Sequence, residues 1–238
     1  MTRNPLIVAL DVPTADKALG LAQALAPFVG AFKVGSELFT SAGPEVVRQI
    51  RAAGGSIFLD LKFHDIPNTV KGSVAAATRL DVQMLTVHCG GGLEMLKAAE
   101  AAAQQTAAEM VRPAPLVLGV TVLTSLDEDA LARLGVTESL SRHAERLADL
   151  AVDAGLRGLV CSPLELPLLR RRLPQHVQLV TPGIRAAHDV NADQKRTLSA
   201  AEAIAAGADW LVVGRPICAV ADPRAAAQQI LASINAAS

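Results

Sequence analysis

A closed (β/α)8 barrel in a single domain spanning residues 1–238 is the fold class that the sequence predicts, and three observations predict it. Eight short apolar runs bounded by turn residues recur along the chain, and Ala- and Leu-rich amphipathic stretches separate them. The first run leads into "LDVPTADKA" instead of the Gly-rich turn that opens a dinucleotide-binding doubly wound sheet.

The runs, in order, are "LIVALDV" (6–12), "AFKVGS" (31–36), "SIFLDLKF" (56–63) and "MLTVHC" (84–89), then "PLVLGVTVL" (115–123), "GLVCSP" (158–163), "VQLVTPGI" (177–184) and "WLVVGRPI" (210–217). Each is continuously apolar rather than alternating, which predicts a strand buried on both faces, as parallel sheets with helical crossovers require. Helical stretches are expected at 15–26, 44–53, 67–79, 91–109, 138–154 and 222–236, most of them starting after Pro, Ser, Thr, Asp or Gly. The Ala-rich piece "KAAEAAAQQTAAEM" (97–110) belongs to one of these helices and is not a tether. No linker, charge block or low-complexity tract divides the chain.

Composition excludes several classes of function. Hydrophobic residues are 51% and charged residues 19%, too apolar for disorder, and no apolar run reaches the roughly 18 residues of a membrane span. With 22 basic against 23 acidic residues and no basic run beyond "LRRRL" (169–173), nucleic acid is not an expected partner. The start, "MTRNPLIVALDV", lacks the pattern of a signal peptide, so cytoplasmic residence is expected. Cys89, Cys161 and Cys218 are odd in number and far apart, and they read as small core hydrophobes, not as a disulfide framework or zinc site.

In such a barrel, catalytic groups project from the carboxyl ends of the strands. Polar residues gather there: Asp11 at the first, Lys33 in the second, Asp60 and Lys62 in the third, His88 in the fourth, Thr121 and Thr124 in or after the fifth. Arg185 follows the seventh, and Arg215 ends the eighth. Side chains alternate along a strand, so Asp60 and Lys62 are expected on one face, aimed at the barrel mouth. A lone Asp-x-Lys is explained by a structural ion pair sealing the barrel, because a buried charge without a partner is costly. Adding Lys33, Asp65 and Asp11 exceeds what sealing requires and points to catalysis. "TPGIR" (181–185) and "VVGRP" (212–216) occupy the loops after the last two strands, where barrels commonly bind phosphate. Gly183 and Gly214 allow close backbone approach, and Arg215 adds a charge-assisted fork. A phosphate ester is the expected ligand.

These residues resemble the orotidine 5′-monophosphate decarboxylase family, in particular its bacterial form. The resemblance runs over essentially the whole chain and rests on "VALDV", "FKVGSELF", "DLKFHDIPNTV", "VTVLTS", "TPGIR" and "VVGRPI". It implies cofactor-free decarboxylation of orotidine 5′-monophosphate to UMP, with Lys62 as proton donor and Asp60 facing the substrate carboxylate. It further implies a homodimer in which Asp65 and Thr69 come from the neighbouring subunit. Asp11 and Lys33 would hold the ribose hydroxyls and complete the charged network, Thr124 would meet the pyrimidine edge, Arg185, Gln194, Gly214 and Arg215 would form the phosphate side, and Pro182 would be a further substrate-binding residue. The polar stretch 185–196 is long enough to act as a lid. His88 reads as a hydrogen-bonded core group and stays outside the catalytic set. Metal-dependent phosphosugar decarboxylases of the same superfamily reuse a similar third strand but carry an acidic residue where Lys33 stands. Lys33 therefore argues against a metal site.

Overall fold

The structure, a computed structural model, describes residues 4–184 and 198–235. Its strands are β1 (Leu6–Ala9), β2 (Ala31–Gly35), β3 (Ile57–Phe63), β4 (Met84–His88), β5 (Leu116–Val120), β6 (Gly158–Val160), β7 (Gln178–Thr181) and β8 (Trp210–Val213). Each pairs in parallel with the next, and β8 pairs with β1, so the sheet closes into the expected barrel.

The helices among the described residues begin with α1 (Ala15–Leu25), α2 (Ser36–Ala42), α3 (Glu45–Ala52), α4 (Pro67–Arg79) and α5 (Leu93–Glu109). They continue with α6 (Glu128–Arg133), α7 (Leu140–Asp153), α8 (Leu166–Arg172), α9 (Ala200–Ala205), α10 (Arg215–Cys218) and α11 (Pro223–Asn235). The six amphipathic stretches correspond to α1, α3, α4, α5, α7 and α11, with ends displaced by at most two residues. The stretches leave α2, α6, α8, α9 and α10 unsignalled, because helices of four to seven residues are too short to display a 3.6-residue period.

The two-residue period of the strands divides the core into two clusters. Leu6, Val8, Phe32, Val34, Ile57 and Leu59 face outward into the large cluster packed beneath the helices. Ile7, Ala9, Ala31, Phe58, Met84, Leu118, Val180, Trp210 and Val212 fill the barrel interior. Both faces of the sheet are therefore dry, which is why the strands carry continuous apolar runs. The polar residues stand two positions beyond this interior layer: Ala9 precedes Asp11, Ala31 precedes Lys33, Phe58 precedes Asp60, and Met84 precedes Thr86. The same period that builds an apolar floor thus lifts the charged side chains to its upper rim.

One strand departs from strict alternation. Between Leu59 and Phe63 β3 advances four residues, whereas its partner β4 advances only two, from Leu85 to Val87. Lys62 lies inside this irregularity with φ of 50°, a left-handed conformation that is strained for a residue with a Cβ. Asp60 and Lys62 both reach the barrel mouth as expected, but the cause differs: a bulge, not the simple alternation of the pleat, orients Lys62.

Candidate active site

At the carboxyl ends of the strands a cavity of about 670 Å³ opens, and Asp11, Lys33, Asp60, Lys62, Thr124, Pro182, Gly214 and Arg215 all line it. Its floor is apolar, formed by Ala9, Phe58, Val160 and Val212, with Val120, Val122 and Leu123 on the β5 side. One wall therefore carries charge while the floor excludes water, which suits a flat, partly apolar ligand with a charged substituent.

The charged wall is a continuous chain of alternating sign. Lys33 Nζ lies 2.8 Å from Asp11 Oδ1 and 3.8 Å from Asp60 Oδ2. Lys62 Nζ donates to both Asp60 oxygens at 2.9 Å. Asp60 is the centre of the chain and the most enclosed of its carboxylates, its side chain 12% exposed against 57% for Asp11. An enclosed carboxylate is costly without partners, and here it has two ammonium groups and a hydroxyl. That hydroxyl belongs to Thr86, which donates to Asp60 Oδ1 at 3.0 Å.

Two features of the wall were not read from the sequence as functional. Thr86 is fully buried in β4 and also accepts a hydrogen bond from the Lys62 backbone N–H at 2.8 Å. A lone hydroxyl inside the apolar run "MLTVHC" was the available signal, since a buried hydroxyl needs a partner. The other feature is Gly35. A Cβ there would come within 3.0 Å of Lys33 Nζ and 3.3 Å of Asp11 Oδ1, so the missing side chain leaves room for that ion pair. Lys17, in the first turn of α1, also lines the cavity and went unread, because one cation on a helix carries no pattern.

The opposite side of the cavity is built from the ends of β7 and β8. Gly183 adopts φ of 80°, a conformation open to glycine, and carries the chain from Pro182 to Ile184 across the rim. Gly214 precedes the short helix α10, whose first residue is Arg215, so Arg215 begins a helix rather than ending a strand. Arg185, Gln194 and the polar stretch 185–196 lie outside the described residues.

Asp65 and Thr69 do not line the cavity of their own chain. The Asp65 carboxylate accepts from the Ile66 N–H at 2.7 Å, and the whole segment His64–Thr69 is exposed, including Ile66 at 66%. Thr121 is buried, and its hydroxyl donates to the Val160 carbonyl at 3.2 Å, a structural contact. His88 stacks at 5.3 Å from His64. Burial first, then the charges of His64 and Lys62, push its pKa below the ordinary imidazole value, partly offset by Asp60. The reading of the cysteines holds for Cys89, which is buried with its thiol pushed up to about 12. It is corrected for Cys218, which is only partly buried and lines the cavity together with Cys161. The physical reason is position: Cys218 ends α10 at the mouth, and its thiol donates to the Ala9 carbonyl at 3.3 Å.

Comparison with known proteins agrees with this geometry. The chain is 48% identical over 234 residues to the orotidine 5′-phosphate decarboxylase of Moorella thermoacetica, covering 98% of this chain and 93% of that one. It is 48% identical to the enzyme of the same name from Pseudomonas putida, with 98% of each covered. The crystal structure of orotidine 5′-phosphate decarboxylase from Lactobacillus acidophilus superposes with a TM-score of 0.85 at 35% identity, covering 98% of this chain and 99% of that one. No helix among the described residues is long and apolar enough to cross a membrane. A closed barrel, an alternating charged wall at its carboxyl end and a family-model match over residues 4–230 lead to one assignment: the chain belongs to the orotidine 5′-phosphate decarboxylase / HUMPS family.

Proposed function

We propose that this chain is a carboxy-lyase that converts orotidine 5′-monophosphate to UMP, the decarboxylation of pyrimidine nucleotide biosynthesis, as a single-domain cytoplasmic protein. The observation that carries the reading is the chain Asp11, Lys33, Asp60, Lys62, with Lys62 Nζ held 2.9 Å from both oxygens of an enclosed carboxylate. Breaking the bond between pyrimidine carbon 6 and the carboxylate releases CO2 and leaves an electron pair in the plane of the ring, without a carbonyl to absorb it. The Lys62 ammonium stabilises that charge and then gives carbon 6 a proton, and the resulting amine regains one from water. Because Asp60 and Thr86 already hold the wall in place, little reorganisation is needed when charge develops. Asp60 facing the substrate carboxylate contributes repulsion that is relieved as CO2 leaves.

In this reading Asp11 and Lys33 meet the ribose hydroxyls, and Thr124 meets the pyrimidine edge. Arg185, Gln194, Gly214 and Arg215 form the phosphate side, Pro182 is a further substrate-binding residue, and the stretch 185–196 closes over the phosphate. Remote binding of the phosphate supports the chemistry at the ring. No cofactor is assigned. A divalent cation seeks oxygen ligands, and the Lys33 ammonium between Asp11 and Asp60 opposes one there. The exposed segment His64–Thr69 supports a homodimer in which Asp65 and Thr69 enter the partner's site, since neither serves the cavity of its own chain. A phosphorylated nucleotide does not cross membranes unaided, which supports cytoplasmic residence. The test is loss of orotidine 5′-monophosphate absorbance with and without chelator. Unchanged turnover with chelator is the expected result; absence of turnover, or turnover that requires added Mg²⁺, overturns it.

A further inference from the structure

The irregularity in β3 has a partner in β4 that holds it open. We propose that Thr86 is a positioning residue for the reaction, setting the Lys62 backbone and the Asp60 carboxylate through one buried hydroxyl; this rests on the decarboxylase reading above.

Where β3 advances from Leu59 to Phe63 against Leu85 and Val87 of β4, Thr86 is the residue between the two β4 positions. The bulge removes the Lys62 N–H from the regular ladder, and the Thr86 oxygen accepts it at 2.8 Å. The hydroxyl has one proton, and it goes to Asp60 Oδ1 at 3.0 Å. Both roles are therefore filled, in one direction: Lys62 N–H to Thr86, Thr86 O–H to Asp60. The Lys62 ammonium closes the ring by donating to the same Asp60 oxygen at 2.9 Å. Backbone and side chain of Lys62 are thus tied to one carboxylate, through Thr86 at one end and directly at the other. This linkage offsets the left-handed φ of 50° at Lys62, a conformation that persists only where the surroundings hold it. Thr86 is 0% exposed and does not line the cavity, so it acts on the ligand through Lys62 and Asp60 alone.

Thr86→Val keeps the shape and deletes both hydrogen bonds; Thr86→Ser keeps the hydroxyl. Placement errors of about 1 Å in a preorganised site cost up to roughly a hundredfold in rate. The expected result is a kcat for orotidine 5′-monophosphate lowered at least about tenfold in Thr86→Val, with KM changed less than about threefold, and near wild-type kcat in Thr86→Ser. If Thr86→Val does not fold, Thr86→Ala carries the same expectation. A kcat within about twofold of wild type in the hydroxyl-deleted variant, or equal damage in Thr86→Ser, overturns the proposal. Should the wild-type protein fail to decarboxylate the nucleotide, the function reading falls, and the crystal structure of Thr86→Val still tests the inference. Lys62 should leave its left-handed conformation and lose its contact with both Asp60 oxygens; retention of both features would refute the role.

Discussion

Asp60→Asn keeps the shape of the central carboxylate and removes its charge. Lys62 Nζ at 2.9 Å and Lys33 Nζ at 3.8 Å would lose attractions of about 6 and about 4 kcal/mol, taking an effective dielectric of about 20. Most of this is compensated by the water that the ammonium groups regain, because the Lys62 side chain remains 36% exposed. Breaking one side of an enclosed ion pair costs about 3–5 kcal/mol, and the partial exposure places this variant at the lower end, about 3 kcal/mol. For a domain of this size that corresponds to a fall in Tm of roughly 6–12 °C, read by circular dichroism at neutral pH and low salt. Glu45→Gln is the internal control. It breaks the exposed pair with Arg48, which at 3.0 Å has ideal length but sits in water, and should cost under about 0.5 kcal/mol. Adding Lys62→Met to Asp60→Asn should restore part of the loss, since the second change removes an ammonium left without its partner. An Asp60→Asn protein as stable as wild type, or more stable, would refute the claim that this chain of charges is held together by its central carboxylate.

Four further outcomes are expected. Lys62→Ala should lower kcat by more than about a thousandfold while changing KM far less if, as proposed, the ammonium acts on charge that appears as the bond breaks; unchanged kcat with a raised KM would contradict it. Arg215→Ala should raise KM for the nucleotide by about tenfold or more yet leave the weak reaction of the nucleoside lacking phosphate unaffected, and an equal effect on both would remove Arg215 from the phosphate side. Mixing Lys62→Ala with Asp65→Ala chains should recover about a quarter of wild-type sites after random exchange, since the proposed shared dimer would leave each mixed pair one intact site; no recovery despite proven exchange rules out sharing. For His88 the folded pKa lies below the unfolded one, so the unfolded chain binds the proton more readily. Its contribution to stability is therefore intact above the ordinary imidazole range and lost as pH falls from about 6.5 toward the folded value. His88→Gln should flatten denaturant midpoints measured over that window, and an unchanged pH dependence would show that His88 does not control it.

The barrel and most of the candidate wall were legible in the sequence because both follow from local rules. Continuous apolar runs require strands covered on both faces, and a two-residue period carries Asp11, Lys33 and Asp60 to the same end as one another. Short helices such as α10 escaped because one turn holds no period, and with it went the position of Cys218 at the mouth. What only the tertiary structure decided is how the charges pair. The order Asp11, Lys33, Asp60, Lys62 depends on the register between neighbouring strands, and the aim of Lys62 depends on a mismatch between β3 and β4. Thr86 likewise looks like one more residue of an apolar strand until that mismatch places it opposite Lys62. Periodicity is a property of each segment alone, whereas register is settled between segments distant in sequence, and a site held together across strands can be located from the first but assembled only by the second.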